Sequence, residues 1–289
     1  LVLSFPQSRY TDEIQFRRGE NLFSLGDYVG AESAYAVVVN DYPNSIFFEK
    51  SLYKYGWVRF KLNQNELAIE SFLQLLDIKQ NEYLIEEIAL AASTTRAELE
   101  LLDDVLRVIS LSFSYLEDKQ SIAAFFNRVG KKDYEPLLYS RLADLYMSKE
   151  RYSDAADIYL SFGQAHTYSP YTPLFHGRVI TAYQKAGFIS QLLPEKERFV
   201  MLYNVGTEFW MRQDPASKIK LTPILTEHIG DIASHYHAIA GKTKNQADYA
   251  IAASWYQRYL AAFPKDKNAP RINFLLAETL FDAGQNELA

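Results

Sequence analysis

Apolar and small positions recur along this chain at the three- and four-residue spacing of helix faces, and they recur in blocks. Residues 19–43, GENLFSLGDYVGAESAYAVVVNDYP, and residues 56–80, GWVRFKLNQNELAIESFLQLLDIKQ, match in step. Gly19 pairs with Gly56, Ala31 with Ala68, Tyr35 with Phe72 and Val38 with Leu75, at a constant offset of 37 residues. The frame returns in Ala143, Tyr146, Tyr152, Ala155, Tyr159 and Pro170, where the closing proline falls a few residues late. Its second half recurs in Ala252, Tyr256, Tyr259 and Pro264, and its first half in Ala277, Leu280 and Gly284, ending at Ala289.

A period of about 34 residues with small, aromatic and proline positions in this order resembles the tetratricopeptide repeat (TPR) family. The resemblance implies an all-α fold, a right-handed α-solenoid of stacked antiparallel helix pairs. The small residue of the first helix (Gly19, Gly56, Ala143, Ala277) and that of the second (Ala31, Ala68, Ala155, Ala252) are then expected where the two helices approach closely. The aromatic four residues later (Tyr35, Phe72, Tyr159, Tyr256) fills the gap one helical turn along. Pro43 and Pro264 stop the second helix before the next unit. Regular units are expected at about 12–45, 49–82, 136–169 and 270–289 of a single solenoid spanning 1–289. The last of these stops inside its second helix, without a polar capping helix, and the chain opens on Leu1 rather than Met, so the expectation is a fragment of a longer chain.

Three stretches depart from the frame and are expected to be irregular helical pairs, at 83–135, 173–210 and 218–264. In the first, Leu84, Ile85, Ile88 and Ala92 mark one helical face. Thr95 with Glu98 reads as a capping box opening a helix whose apolar stripe is Leu99, Leu102, Val105, Leu106 and Ile109. A short helix around Ile122–Val129 follows, then Gly130. In the second, Ile180, Tyr183 and Gly187 keep the frame, while Pro194 is expected to disrupt the second helix. In the third, the connection between helices is lengthened by AGKTKNQ.

Composition narrows the functional classes. Of 289 residues 48% are apolar, enough for a core, and the absence of Cys removes disulfides, zinc–cysteine sites and thiol nucleophiles. A net charge of −6 argues against a dedicated nucleic-acid binder. No stretch approaches the roughly 20 apolar residues of a membrane-spanning helix.

Signatures of catalysis are missing: G-x-G-x-x-G, G-x-S-x-G and H-E-x-x-H do not occur. Gly241-Lys242-Thr243 imitates the end of a phosphate-binding loop, but Tyr236 stands where that loop needs glycine. His228, Asp231 and His235 share a helical face, with no third strong ligand for a metal, and His237 points elsewhere. Asp103-Asp104 and Glu86-Glu87 are adjacent, point apart and read as solvated faces. No catalytic residue, metal or cofactor is therefore expected.

A stacked array of helix pairs offers a concave groove lined by the first helix of each unit. The groove positions that the resemblance implies, carried onto the second unit, are Lys50, Tyr53, Lys54, Trp57, Phe60 and Lys61. The first unit contributes Glu13, Phe16, Arg17, Glu20, Phe23 and Ser24. This basic and aromatic strip suits an acidic or aromatic-containing peptide, unless its aromatics pack against the helices of the neighbouring unit. The Lys-plus-Asn arrangement of TPR proteins that clamp chaperone tails is missing, because Glu20 and Trp57 stand where Asn is expected. The segments DYPNSIFFEKSLYKYGWVRFKLNQNELAIESFLQLLD and PLLYSRLADLYMSKERYSDAADIYLSF further resemble bacterial envelope-associated TPR scaffolds. The expected function is a non-catalytic scaffold for protein–protein interactions in the periplasm or cell envelope, with a protein or peptide partner. The alternatives are a periplasmic module binding cell-wall glycan or exported polysaccharide, and a regulatory arm of an enzyme encoded elsewhere in a longer chain.

Overall fold

The computed structural model describes residues 10–80, 95–116 and 121–285. Among the described residues lie fourteen α-helices and no strand. The chain divides into two compact bodies, Leu1–Leu145 and Tyr146–Ala289.

The first body begins with two helix pairs, α1 (Thr11–Ser24) on α2 (Tyr28–Asp41) and α3 (Phe48–Lys61) on α4 (Asn65–Gln80). Within each pair the chain reverses through a left-handed residue, Gly26 at φ 79° and Asn63 at φ 59°. Asp27 then caps α2 by accepting from the Gly30 amide. The small-residue positions meet the aromatic ones as the repeat requires. A Cβ on Gly19 would lie 2.5 Å from the Tyr35 ring, and one on Gly56 2.7 Å from the Phe72 ring. Any larger side chain would drive the two helices apart. Ala31, Tyr35, Tyr55 and Val58 form the buried core here, with Phe16, Leu22, Phe23 and Leu62 packed against it. Helix α2 ends at Asp41, just before Pro43.

Helix α5 (Arg96–Tyr115) opens on the expected capping box: the Thr95 side chain accepts from the Glu98 amide and the Glu98 carboxylate from the Thr95 amide. Its buried face is Val105, Leu106, Val108, Ile109, Ser112 and Phe113, and it packs on α4. Short α6 (Ser121–Val129) and α7 (Glu135–Ser148) follow. The expected helical face of Leu84, Ile85, Ile88 and Ala92, like Glu86-Glu87, lies outside the described residues.

The second body holds α8 (Tyr152–Ala165), α9 (Tyr171–Ala186), α10 (Ile189–Tyr203), α11 (Glu208–Arg212), α12 (Pro215–Thr243), α13 (Gln246–Ala262) and α14 (Ala269–Asp282). Two expectations change here. Pro194 does not break the second helix of its pair: α10 runs through it for 15 residues. The proline is exposed near the start of the helix, where its missing N–H costs a single bond to the preceding turn. The irregularity comes after α10, where Gly206 at φ 88° turns the chain into five-residue α11. Likewise, AGKTKNQ is not a long loop. Helix α12 extends through Thr243 to 29 residues, and only Lys244 and Asn245 separate it from α13. The extra residues add helical turns, closed by Lys244 in the left-handed conformation. The core of this body joins Phe199, Tyr203, Leu225, Ile229, Ile232, Trp255 and Tyr256.

Candidate functional site

Helix α3 carries Lys50, Tyr53, Lys54, Trp57, Phe60 and Lys61 at three- and four-residue steps, so they share one side of the helix. On α1, Phe16, Arg17 and Glu20 do the same. The two sets meet at Lys54, whose ammonium lies 3.4 Å from the Glu20 carboxylate and 5.0 Å over the Phe23 ring. Glu20 also accepts the hydroxyl hydrogen of Tyr35, and burial together with that bond raises the Tyr35 phenol well above its ordinary value. Arg17 turns to Glu13 at 2.7 Å, and Phe16 stacks on Phe47 at 5.1 Å. Lys50 and Lys61 are exposed and, among the described residues, form no ion pair; Lys61 reaches over the Trp57 ring at 6.0 Å.

The strip is not bare. Asp104 on α5 accepts from the Tyr53 hydroxyl at 2.6 Å and from the Trp57 indole N–H at 3.1 Å, and pairs with Arg107. Burial alone would raise the Asp104 carboxyl. Bonds from Tyr53, Arg107 and Trp57 outweigh it and hold the group below its ordinary value. Burial and the same bond push the Tyr53 phenol up to about 12. Arg107 lies 5.6 Å from the Trp57 ring, and Phe60 stacks on Tyr115 at 6.1 Å. Tyr53, Trp57 and Phe60 are therefore oriented by α5, while Lys50, Lys54 and Lys61 keep access to solvent.

Asp104 is the residue that sequence reasoning misses. It does not lie on a solvated face with Asp103: it is half-buried and binds side chains 47 and 51 positions upstream, whereas Asp103 pairs with Arg141 at 3.0 Å. Nothing local to Asp103-Asp104 signals such distant partners.

The histidines of the second body separate in the same way. His228 is buried edge-on to Phe199, and neither ring nitrogen has a hydrogen-bond partner among the described residues. Burial, and then the nearby Lys196 charge, lower its pKa to about 4. Asp231 pairs with Lys196 and His235 is exposed, so the three do not converge. Among the described residues no three such side chains could hold a metal ion. Gly241-Lys242-Thr243 forms the last turn of α12 and not a loop. His237 meets the Tyr256 hydroxyl at 3.2 Å.

The tetratricopeptide repeat family profile matches residues 13–45 and 50–78, the segments that hold most of α1, all of α2 and most of α3–α4. Residues 13–45 and 50–78 thus carry two tetratricopeptide repeats. A comparison with curated proteins finds no match. Among solved structures the chain is similar to the MamA protein, at 16% identity over 67% of this chain and 92% of that one, TM-score 0.32. It is also similar to a tetratricopeptide repeat protein from Parabacteroides merdae, at 12% identity over 93% and 99% of the two chains, TM-score 0.32. A third is the TPR2AB-domain:pHSP90 complex of yeast Sti1, at 10% identity over 96% and 100%, TM-score 0.29. Among the described residues no helix is long and apolar enough to cross a membrane.

Proposed function

We propose that the chain is a non-catalytic scaffold that binds a protein partner through the strip on α1 and α3. The observation that carries this reading is the geometry of α3: two aromatic side chains oriented by one half-buried carboxylate, flanked by Lys50 and Lys61, which are exposed. Fixed aromatic area loses little entropy on binding, and mobile cations select an acidic partner segment. A bacterial periplasmic or cell-envelope complex is the proposed setting, and it rests on the resemblance of segments 41–77 and 136–162 to envelope-associated TPR scaffolds. A glycan-binding module is the second reading, favoured by the same Tyr53 and Trp57 rings.

The test is affinity purification of the full-length protein from its native cells, comparing wild type with a Lys54→Glu/Trp57→Ala variant by mass spectrometry. Loss of one defined set of proteins in the variant supports the reading. Recovery of the same set by both versions rejects the strip as the binding surface, and capture of glycan without protein on a glycan array moves the assignment to the second reading.

A further inference from the structure

The second body contains a cavity of about 420 Å³ that the TPR frame does not foresee. It opens between α8, α9, α10 and α11, and it exists because α10 is followed by the short helix α11 instead of a regular turn. Helix α11 is fastened over the 166–170 connection: Gln213 donates to the Tyr168 carbonyl at 3.0 Å, and the Arg212 guanidinium lies 4.2 Å from the Tyr168 ring. The wall is therefore built and held.

Its chemistry is specific. Leu160, Met201, Leu202 and Phe209 supply apolar lining. Deeper, His176 is only 4% exposed and already saturated, with Nε2 2.6 Å from Glu195 and Nδ1 3.2 Å from the Tyr203 hydroxyl. Arg198 also lines the cavity. Its side chain is 59% exposed, and its contact with Glu195, at 3.6 Å, is to the carboxylate oxygen that His176 holds more closely. A second guanidinium, Arg258, sits 3.6 Å from the Met201 sulfur. The one carboxylate among the described residues that line the cavity, Glu208, is bound to Arg212 at 2.7 Å.

Around this opening, apolar atoms face solvent: Met201 is 64% exposed, Leu202 44% and Val205 39%. Clustered exposure of this kind marks interaction sites, and methionine adapts its shape to what it meets. Val205 lies outside the cavity lining, so a small molecule filling the cavity would leave that collar wet, whereas a polypeptide would cover it.

We infer that this cavity is a second docking site, which takes a large apolar side chain of a partner polypeptide followed or preceded by an acidic residue. The apolar side chain enters against Leu160, Leu202 and Phe209, and the carboxylate meets Arg198, with Arg258 beside it. The inference rests on the reading of the chain as a protein-binding scaffold, but it uses none of the residues of the α1–α3 strip.

Two pools of fluorescent decapeptides test it by anisotropy, each with a central Leu or Phe, one pool flanked by Asp and Glu and the other by Lys. The acidic pool is expected to bind the whole chain, with affinity reduced about tenfold in Arg198→Glu and in Leu202→Asp. Both positions are exposed, and circular dichroism confirms that the variants fold. Binding at the cavity is expected to persist in the Lys54→Glu/Trp57→Ala variant, where the α1–α3 strip no longer contributes, and to fall about tenfold when Arg198→Glu or Leu202→Asp is added to that variant. Equal binding of both pools, or no binding of either, overturns the docking site. Binding lost only in Lys54→Glu/Trp57→Ala overturns it too, and leaves the scaffold reading standing.

Discussion

Helix pairs α1–α2 and α3–α4 and helix pair α9–α10 solve the same packing problem by different means. In the first two, a glycine is pressed against an aromatic ring, Gly19 on Tyr35 and Gly56 on Phe72, and the contact recurs at a fixed offset. In α9–α10 no glycine contact holds the pair. His176 packs on Phe199, bonds Tyr203 and pairs with Glu195. The first solution depends on the backbone distance between helices and tolerates no added volume. The second depends on hydrogen bonding by the His176 ring, and leaves space beside it. Regularity thus produces a closely packed, repeated platform, and its loss leaves a cavity.

Filling the glycine contact breaks the first arrangement most severely. Gly56→Leu is expected to cost about 3 kcal/mol in urea unfolding of the first body, because its Cβ already meets the Phe72 ring. Retention of wild-type stability would mean that the helices part freely.

Acid strikes the second body nearly as hard. His228 titrates near 6.5 when unfolded and near 4 when folded, so the unfolded chain binds the extra proton between those values. Stability is complete above pH 6.5 and falls as pH drops towards 4, by about 3 kcal/mol from this group. His228→Phe is expected to remove that slope in denaturation curves taken across the window.

Smaller effects separate the strip from its support. Asp104→Ala leaves the Tyr53 hydroxyl and Trp57 indole without their acceptor, at a cost of about 2 kcal/mol. It also returns the Tyr53 phenol from about 12 towards its ordinary value of about 10, which ultraviolet titration detects. Thr95→Ala is expected to cost about 1 kcal/mol by removing the α5 cap, without moving the Tyr53 titration.

These contrasts explain what could be read in the sequence. Gly19, Gly56, Tyr35 and Phe72 announce their helix pairs because each contact is local and repeated. The Thr95–Glu98 cap was legible for the same reason: four consecutive residues contain the whole device. Placing Lys50, Lys54 and Lys61 on one side of α3 needed only helical spacing. Asp104 was hidden, since its acceptor role depends on the packing of α5 beside Tyr53 and Trp57. The cavity was hidden as well, because Pro194 looked like the break when the break lies after Tyr203. The AGKTKNQ segment looked like a loop because glycine and lysine are ambiguous near a helix end, while Asp248 and Asn245, which bond Thr243 and cap α13, act only once the turn has formed.

The measurement that bears most directly on the central claim is hydrogen exchange of the full-length protein, free and bound to the partner recovered by affinity purification. Slowed exchange in α1 and α3 on binding is the predicted result. Unchanged exchange in both helices, with protection elsewhere in the chain, would contradict the claim that their basic and aromatic strip is where the partner docks.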